Sequence, residues 1–142
     1  MELTLEIADR LVAAASAIRD RAYAPYSHFQ VGAALLIANN HVITGCNVEN
    51  ASFGLSVCAE RNAVAAAVAG GASSILAMAV VTDSSPPASP CGACRQVLSE
   101  FGDFPLILAN TSNERRITSV GELLPEVFSG AALPRPTHPV ES

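Results

Sequence analysis

A mostly aliphatic run near the middle of the chain, residues 75–82 with the sequence ILAMAVVT, constrains the fold more than any other feature. Such a run predicts a strand buried on both faces, because a strand with one wet face alternates apolar and polar residues. An alanine-rich segment at residues 59–69 precedes it, and residues 91–101 follow it; both are predicted to be helices that end near glycines. The run is therefore predicted to be the central strand of a layered α/β domain.

The remaining elements are predicted from hydrophobic spacing and turn residues. In chain order they are a helix over residues 4–23 ended by Pro25, strands over residues 29–37 and 42–46 joined by a tight turn at Asn39 and Asn40, strands over residues 106–110 and 115–118, and a C-terminal helix over residues 120–128. Together they predict a three-layer α/β/α architecture around a mixed sheet of five strands. We expect one domain over residues 1–130, followed by a proline-rich C-terminal tail over residues 131–142.

Charge is scarce and unevenly placed in this chain of 142 residues, which carries 8 basic and 13 acidic side chains. An acidic balance does not suit nucleic-acid binding, so no nucleic-acid partner is expected. Between residues 22 and 94 the only formal charges are Glu49, Glu60, Arg61 and Asp83. A surface this poor in charge indicates that other subunits cover part of it, which favours a homo-oligomer.

No apolar run reaches the length of about 20 residues that a membrane-spanning helix needs. The first residues, MELTLEIADR, lack the basic start of a secretory signal and carry early acidic residues. We therefore expect a cytoplasmic protein with no membrane partner.

Three cysteines and one glutamate are the candidate metal-binding and catalytic residues. Cys58 lies at the start of one predicted helix, and Cys91 and Cys94 lie at the start of another. Helix N-termini lower thiol pKa values, and three thiolates from two converging helices could hold one Zn²⁺ with a fourth position open to water. Glu60 lies two residues after Cys58 and could hydrogen-bond that water.

Other interpretations of these cysteines remain open at this stage. Cys-x-x-Cys also occurs in redox motifs and in zinc ribbons, and Cys46 could complete a closed site of four cysteines. A thioredoxin-like motif would explain neither Cys58 nor Glu60. A non-catalytic zinc-binding module or a thiol-redox module is thus the alternative to an enzyme.

The chain resembles a known family in five ordered segments. They are residues 24–35 (APYSHFQVGAAL), 45–51 (GCNVENA), 58–63 (CAERNA), 90–98 (PCGACRQVL) and 122–125 (ELLP). These segments resemble the small homotetrameric cytidine deaminases of the zinc-dependent cytidine/deoxycytidylate deaminase superfamily. The resemblance runs from about residue 23 to residue 128, and it implies the cytidine-deaminase-like α/β/α fold.

The resemblance implies a hydrolase that converts free cytidine and deoxycytidine to uridine and deoxyuridine plus ammonia in pyrimidine salvage. Cys58, Cys91 and Cys94 would bind one Zn²⁺ per chain, and Glu60 would move protons between water and the cytosine ring. Arg61 would offset the negative charge of three thiolates by hydrogen-bonding the sulfurs. Its alternative role is an ordinary charge on a helix surface.

The resemblance also implies substrate contacts. Asn47 and Glu49 would bind the ribose, and Phe29 would pack on the nucleoside, although Glu49 could instead form a buried ion pair and Phe29 could be core. The Ala59 N–H would meet the base O2, and the Ser89 carbonyl would meet the exocyclic amine.

Neighbouring subunits would complete the pocket of a homotetramer, with Phe53 and Phe128 at the matching positions. Phe53 lacks the hydroxyl of the tyrosine often found there. Within the same enzyme class, a deaminase of a cytosine-bearing antibiotic such as blasticidin S is the second interpretation. The sequence does not decide between cytidine and deoxycytidine.

Overall fold

The computed structural model describes residues 2–134. Its helices and strands are α1 (Leu5–Arg19), β1 (Gly32–Ile37), β2 (His41–Cys46), α2 (Ala59–Ala69), β3 (Ala77–Thr82), α3 (Gly92–Ser99), β4 (Pro105–Asn110), β5 (Arg115–Ser119) and α4 (Val120–Leu123). Short 3-10 turns occupy Ala38–Asn40, Phe53–Leu55 and Gly130–Ala132.

The strands form one five-stranded sheet in the order β2-β1-β3-β4-β5. β3 and β4 are parallel, and the other neighbouring pairs are antiparallel, so the sheet is mixed. All residues of the central strand β3 are buried, as its continuous apolar character predicts.

Alternate residues of the sheet face two separate cores, which makes three layers. Ala79 and Val81 of β3 pack with Leu11 and Ala15 of α1 on one face. Met78 and Val80 join the other core, in which α2 and α3 lie. The predicted three-layer α/β/α fold with a mixed five-stranded sheet is confirmed.

Several local predictions are confirmed as well. α2 spans the residues predicted for it. Asn39 and Asn40 both have a φ of 61°, which the tight turn between β1 and β2 requires. None of the helices in residues 2–134 combines the length and the apolar character that crossing a bilayer demands.

The predicted helix over residues 4–23 is too long at its C-terminal end. Thr4 caps α1 by accepting a hydrogen bond from the Ile7 N–H at 3.2 Å, but the helix ends at Arg19. The chain leaves the helix because the Tyr23 N–H donates to the Asn47 carbonyl and the Tyr23 carbonyl accepts from Glu49, at 3.0 and 2.9 Å. A contact distant in sequence therefore ends the helix before Pro25.

The strand predicted to begin at residue 29 begins at Gly32. The backbone of residues 29–31 pairs instead with the side chain of Asn47. Its Nδ2 donates to the Phe29 carbonyl and its Oδ1 accepts from the Val31 N–H, both at 2.8 Å. The side-chain amide thus makes two of the hydrogen bonds that a neighbouring strand would make, and the Asn47 backbone N–H donates to the Val31 carbonyl at 3.3 Å.

The C-terminal helix predicted over residues 120–128 stops at Leu123. Leu124 precedes Pro125, and the proline ring disfavours helical backbone for the residue before it. Leu124 accordingly has φ −140° and ψ 72°, and Glu126 has a φ of 53°. Of the predicted tail, residues 135–142 lie outside the described residues.

Close approach of α2 to the sheet depends on Gly45 in β2. A Cβ at this position would lie 2.4 Å from the Ala63 backbone nitrogen and 2.7 Å from the Ala59 carbonyl oxygen. Those distances are too short for any side chain, so α2 packs directly on bare strand backbone. This packing sets the position of the helix that carries Glu60 and Arg61.

We expect Gly45→Ala to lower the free energy of unfolding by about 1–3 kcal/mol, because the backbone of α2 must move to admit the methyl group. Urea unfolding followed by circular dichroism measures the change. Gly70→Ala is the control, since its Cβ would meet helix carbonyls at an ordinary 3.5 Å. Equal losses of stability in the two variants would contradict this account of α2 packing.

Candidate active site

Two helix N-termini bring the cysteines together. Cys58 is the N-cap residue of α2 and Cys91 is the N-cap residue of α3, and neither side chain makes a capping hydrogen bond to a backbone N–H of its helix. Cys94 lies in the first turn of α3 and is fully buried. Both N-cap thiols are therefore available to a ligand.

The three sulfurs have the spacing of a metal site. The Sγ atoms of Cys58 and Cys91 are 3.9 Å apart, those of Cys91 and Cys94 are 3.4 Å apart, and all three lie within 4.8 Å of one another. Tetrahedral Zn²⁺ with Zn–S bonds of about 2.3 Å needs sulfurs about 3.8 Å apart. The donor set fits zinc, with three protein ligands and room for a fourth.

Electrostatics favour thiolate at this cluster. Hydrogen bonds from the Cys94 thiol and the Arg61 guanidinium lower the pKa of Cys58 to about 5, against the opposing effect of burial. The shared proton and burial raise the pKa of Cys94 instead. The Cys58 thiolate thus accepts a hydrogen bond from the Cys94 thiol. A metal ion can replace the shared proton.

Arg61 lies against the sulfurs, as the charge argument predicts. Its Nη2 donates to Cys58 Sγ at 3.8 Å. Its Nε is buried and has no hydrogen-bond partner among the described residues. The guanidinium therefore faces the thiol cluster with unused donor capacity, which suits a site of accumulated negative charge.

Glu60 is the buried acid of the site. It lies in the first turn of α2, is 5% exposed, and its Oε2 lies 3.7 Å from Cys94 Sγ. Burial raises the pKa of its carboxyl group above the ordinary value, and the Cys58 charge adds to this effect. A carboxyl group with a raised pKa is better suited to giving back a proton that it has taken.

A cavity of about 200 Å³ opens beside the sulfurs. This volume is below the roughly 300–1,000 Å³ of sites for drug-sized ligands, so it suits a single small ring. Residues from several elements line it: Phe29, Val31, Asn47, Cys58, Ala59, Glu60, Val80, Thr82, Ala88, Ser89 and Cys91. The predicted substrate contacts Phe29, Asn47, Ala59 and Ser89 thus lie in one cavity with Glu60 and two of the cysteines.

Four lining residues were missed at the level of sequence: Val31, Val80, Thr82 and Ala88. Thr82 could have been predicted from the sequence, because it is the polar residue at the end of the buried strand β3. Ligands bind beyond the carboxyl ends of parallel strands, and β3 is parallel to β4. The other three are apolar residues that any core position could hold.

Asn47 has a structural task as well as its place in the cavity. Its amide already bridges Phe29 and Val31, yet each amide atom keeps one further hydrogen-bonding position. Its side chain is therefore held rigidly and can still bind a polar group.

Glu49 does not line the cavity within one chain. Its carboxylate accepts from the backbone N–H groups of Tyr26 and Ser27 at 3.0 and 3.1 Å, and from the Ser27 hydroxyl. The Ser27 bonds lower the pKa of Glu49. Glu49 forms neither of the two ion pairs found in residues 2–134, so no partner for a buried ion pair lies within the described part of this chain.

Phe53 and Phe128 also lie outside the cavity lining. They are 72% and 62% exposed, respectively. The Phe53 ring contacts Tyr26 edge-on at 5.7 Å between ring centroids. A single chain thus leaves both aromatic side chains largely uncovered.

Comparison with known proteins agrees with this geometry. A family model described as the cytidine and deoxycytidylate deaminase zinc-binding region matches residues 5–109. The cytidine deaminase of Sporosarcina psychrophila is 46% identical over 123 residues, covering 85% of this chain and 90% of that protein. The cytidine deaminase of Halalkalibacterium halodurans is 47% identical over 121 residues, covering 84% and 92%.

The fold agrees as well. A crystal structure of cytidine deaminase from Burkholderia pseudomallei superposes with a TM-score of 0.83 at 48% sequence identity, covering 89% of this chain and 100% of that chain. The chain belongs to the cytidine and deoxycytidylate deaminase family of zinc-binding enzymes. Zinc is its cofactor, and the Cys58, Cys91 and Cys94 cluster has the donors for it.

We expect Cys91→Ser to lower zinc content from about one ion per chain to well below half, because an alcohol is a far poorer zinc ligand than a thiolate. Elemental analysis of dialysed protein measures the zinc. Cys46→Ser is the matched control, since Cys46 lies outside the cluster. Equal zinc content in both variants would contradict the assignment of the site.

Proposed function

We propose that this chain catalyses the hydrolytic deamination of free cytidine and deoxycytidine to uridine and deoxyuridine, with release of ammonia, in pyrimidine salvage. The buried Glu60 carboxyl group beside a zinc-compatible thiol cluster, both at one small cavity, carries the proposal. Family membership supports it, because the relatives named above are cytidine deaminases.

Zinc, when bound by Cys58, Cys91 and Cys94, supplies a Lewis acid that makes water a nucleophile at neutral pH. Glu60 takes a proton from the attacking water and gives it to N3 of the cytosine ring as the C4–O bond forms. Glu60 then takes the second proton, from the new C4 hydroxyl group, and delivers it to the exocyclic nitrogen as the C4–N bond breaks and the C4=O bond forms. Water and cytidine thus become ammonia and uridine, with the carboxyl group unchanged at the end.

The raised pKa of Glu60 suits this two-way role. A strongly ionised carboxylate would hold a proton too weakly to protonate the leaving nitrogen. Burial gives the carboxyl group a higher affinity for its proton, so it can act as acid after acting as base. The apolar residues Val31, Val80 and Ala88 around the cavity keep bulk water away.

The family resemblance implies the substrate contacts, and the cavity lining supports those of Phe29, Asn47, Ala59 and Ser89. Phe29 would pack on the nucleoside, the Ala59 N–H would donate to the base O2, and the Ser89 carbonyl would accept from the amine. Support for the Ala59 contact comes from its place at the start of α2, where N–H groups lack intrahelical partners. Asn47 keeps a free hydrogen-bonding position for the ribose, and Glu49 would accept from the sugar beyond the cavity rim.

Arg61 would offset the negative charge of the zinc-bound site. Three thiolates and Zn²⁺ sum to a net charge of −1, which weakens the pull of the metal on its water ligand. The Arg61 guanidinium beside Cys58 offsets that charge.

The active form is proposed to be a cytoplasmic homotetramer. Exposed large apolar residues concentrate in the segment before α2: Tyr23, Tyr26, Phe29, Val48, Phe53 and Leu55. A second copy of the chain would cover this surface, with Phe53 and Phe128 closing a neighbouring pocket. Cys46, Cys58, Cys91 and Cys94 are all free thiols, which suits a reducing compartment.

We expect Glu60→Gln to lower kcat for cytidine by about 100-fold or more, because amide nitrogen cannot shuttle the proton. Zinc content and the urea midpoint should stay near the parent values. The fall in cytidine absorbance measures turnover. Glu100→Gln, at the exposed far end of α3, is the control. Retained deamination by purified Glu60→Gln would refute the mechanism.

For the assembly, we expect Phe53→Gln to shift the protein from tetramer toward smaller species and to raise KM for cytidine, because an apolar contact between subunits is lost. Light scattering on a sizing column measures the mass. Leu5→Gln is the matched control, since Leu5 is 74% exposed but lies on α1. A monomeric parent protein with full activity would contradict the tetramer.

A further inference from the structure

Arg95 directly follows Cys94 on α3, and its side chain joins two backbone carbonyls from different parts of the chain. Its Nε donates to the Pro90 carbonyl at 2.8 Å, and its Nη1 donates to the Leu123 carbonyl at 2.9 Å. Pro90 is buried and directly precedes Cys91. None of the roles derived above involves Arg95.

The bond to Pro90 holds the approach to α3 in place. The Cys91 carbonyl already accepts from the Arg95 N–H inside the helix at 3.0 Å. The Pro90 carbonyl is one residue too early for the helical pattern, and the guanidinium satisfies it instead. Arg95 therefore contacts both backbone carbonyls that flank the Cα of Cys91. These contacts fix how Cys91 enters the site relative to Cys94.

The bond to Leu123 ties the same side chain to the end of α4. The next residue on α3 makes a parallel contact, because Gln96 Nε2 donates to the Phe128 carbonyl at 2.9 Å. Between these two contacts the chain follows a non-helical path, with Glu126 at a φ of 53°. α3 thus holds the segment over residues 123–128 at both of its ends.

We propose that Arg95 is a positioning residue that sets the geometry of the metal ligand Cys91 and couples it to the segment over residues 123–128. The inference rests on Cys91 being a zinc ligand, as proposed above. Substrate and zinc need not touch Arg95 for it to act, since it works through the Pro90 carbonyl. Loss of its side chain leaves that buried carbonyl without its donor and frees the N-cap of α3.

The test is the rate at which zinc-loaded protein releases its metal to a chromophoric chelator, 4-(2-pyridylazo)resorcinol. We expect Arg95→Gln to release zinc about tenfold faster or more, in the range seen for residues that orient metal ligands. Arg95→Lys can keep one of the two bonds and should release zinc at an intermediate rate. Arg116→Gln, an exposed arginine on β5, is the control and should match the parent.

Gln96→Ala tests the contact of α3 with Phe128 separately from the contacts of Arg95 with Pro90 and Leu123. It leaves the Arg95 contacts intact, so zinc release should stay at the parent rate while KM for cytidine rises through the loosened Phe128. Parent-rate release by both Arg95→Gln and Arg95→Lys would overturn the proposal. Failure of both to fold would also overturn it, because Arg95 would then serve the whole fold.

Zinc release requires no turnover. A parent protein that binds zinc but leaves cytidine unchanged would therefore refute the proposed function and leave the Arg95 comparison intact.

Discussion

The convergence of two helix N-termini is the constraint on which the rest of the structure depends. Cys58 and Cys91 cap different helices, yet their sulfurs lie 3.9 Å apart. Both helices must pack on the same face of the sheet and start at the same edge to achieve this. Gly45 permits that packing for α2, because any side chain there would collide with the backbone of Ala59 and Ala63.

Charge is the second consequence of that convergence. Bringing three thiols and the Glu60 carboxyl group together concentrates negative charge, and Cys94 and Glu60 are buried where solvation is poor. Arg61 is the cation that the chain itself supplies there. Bound zinc would supply the remaining positive charge. The same burial that makes the site costly to form raises the pKa of Glu60 above its ordinary value. Stability and catalysis are thus opposed at this site, as they commonly are in enzymes.

The sequence predicted those helices and strands whose formation depends mainly on residues close together in the chain. The buried run ending at Thr82 predicted the central strand, and the alanine-rich stretch closed by Gly70 predicted the bounds of α2. The cysteines were placed at helix starts by their position before those stretches. Four substrate contacts implied by the family resemblance line the cavity, whereas Glu49 lies outside it in a single chain.

The predictions failed where a distant partner decides the backbone. Asn47 binds the backbone of residues 29–31 through its side-chain amide and its own N–H, and the same segment pairs with Tyr23 beyond the end of α1. Neither contact leaves a periodic trace in the sequence. The contacts of Arg95 belong to this group too, since its partners lie 5 and 28 residues away along the chain. The proline that shortens α4 was a local signal, and the residue before Pro125 should have ended that helix.

The most direct test of the account is a titration of zinc into metal-free protein, with the initial rate of cytidine loss and the bound zinc measured in each sample. The account predicts that the rate of uridine formation rises in proportion to bound zinc and levels off at about one ion per chain. Turnover in the metal-free protein, or no turnover at one ion per chain, would contradict it.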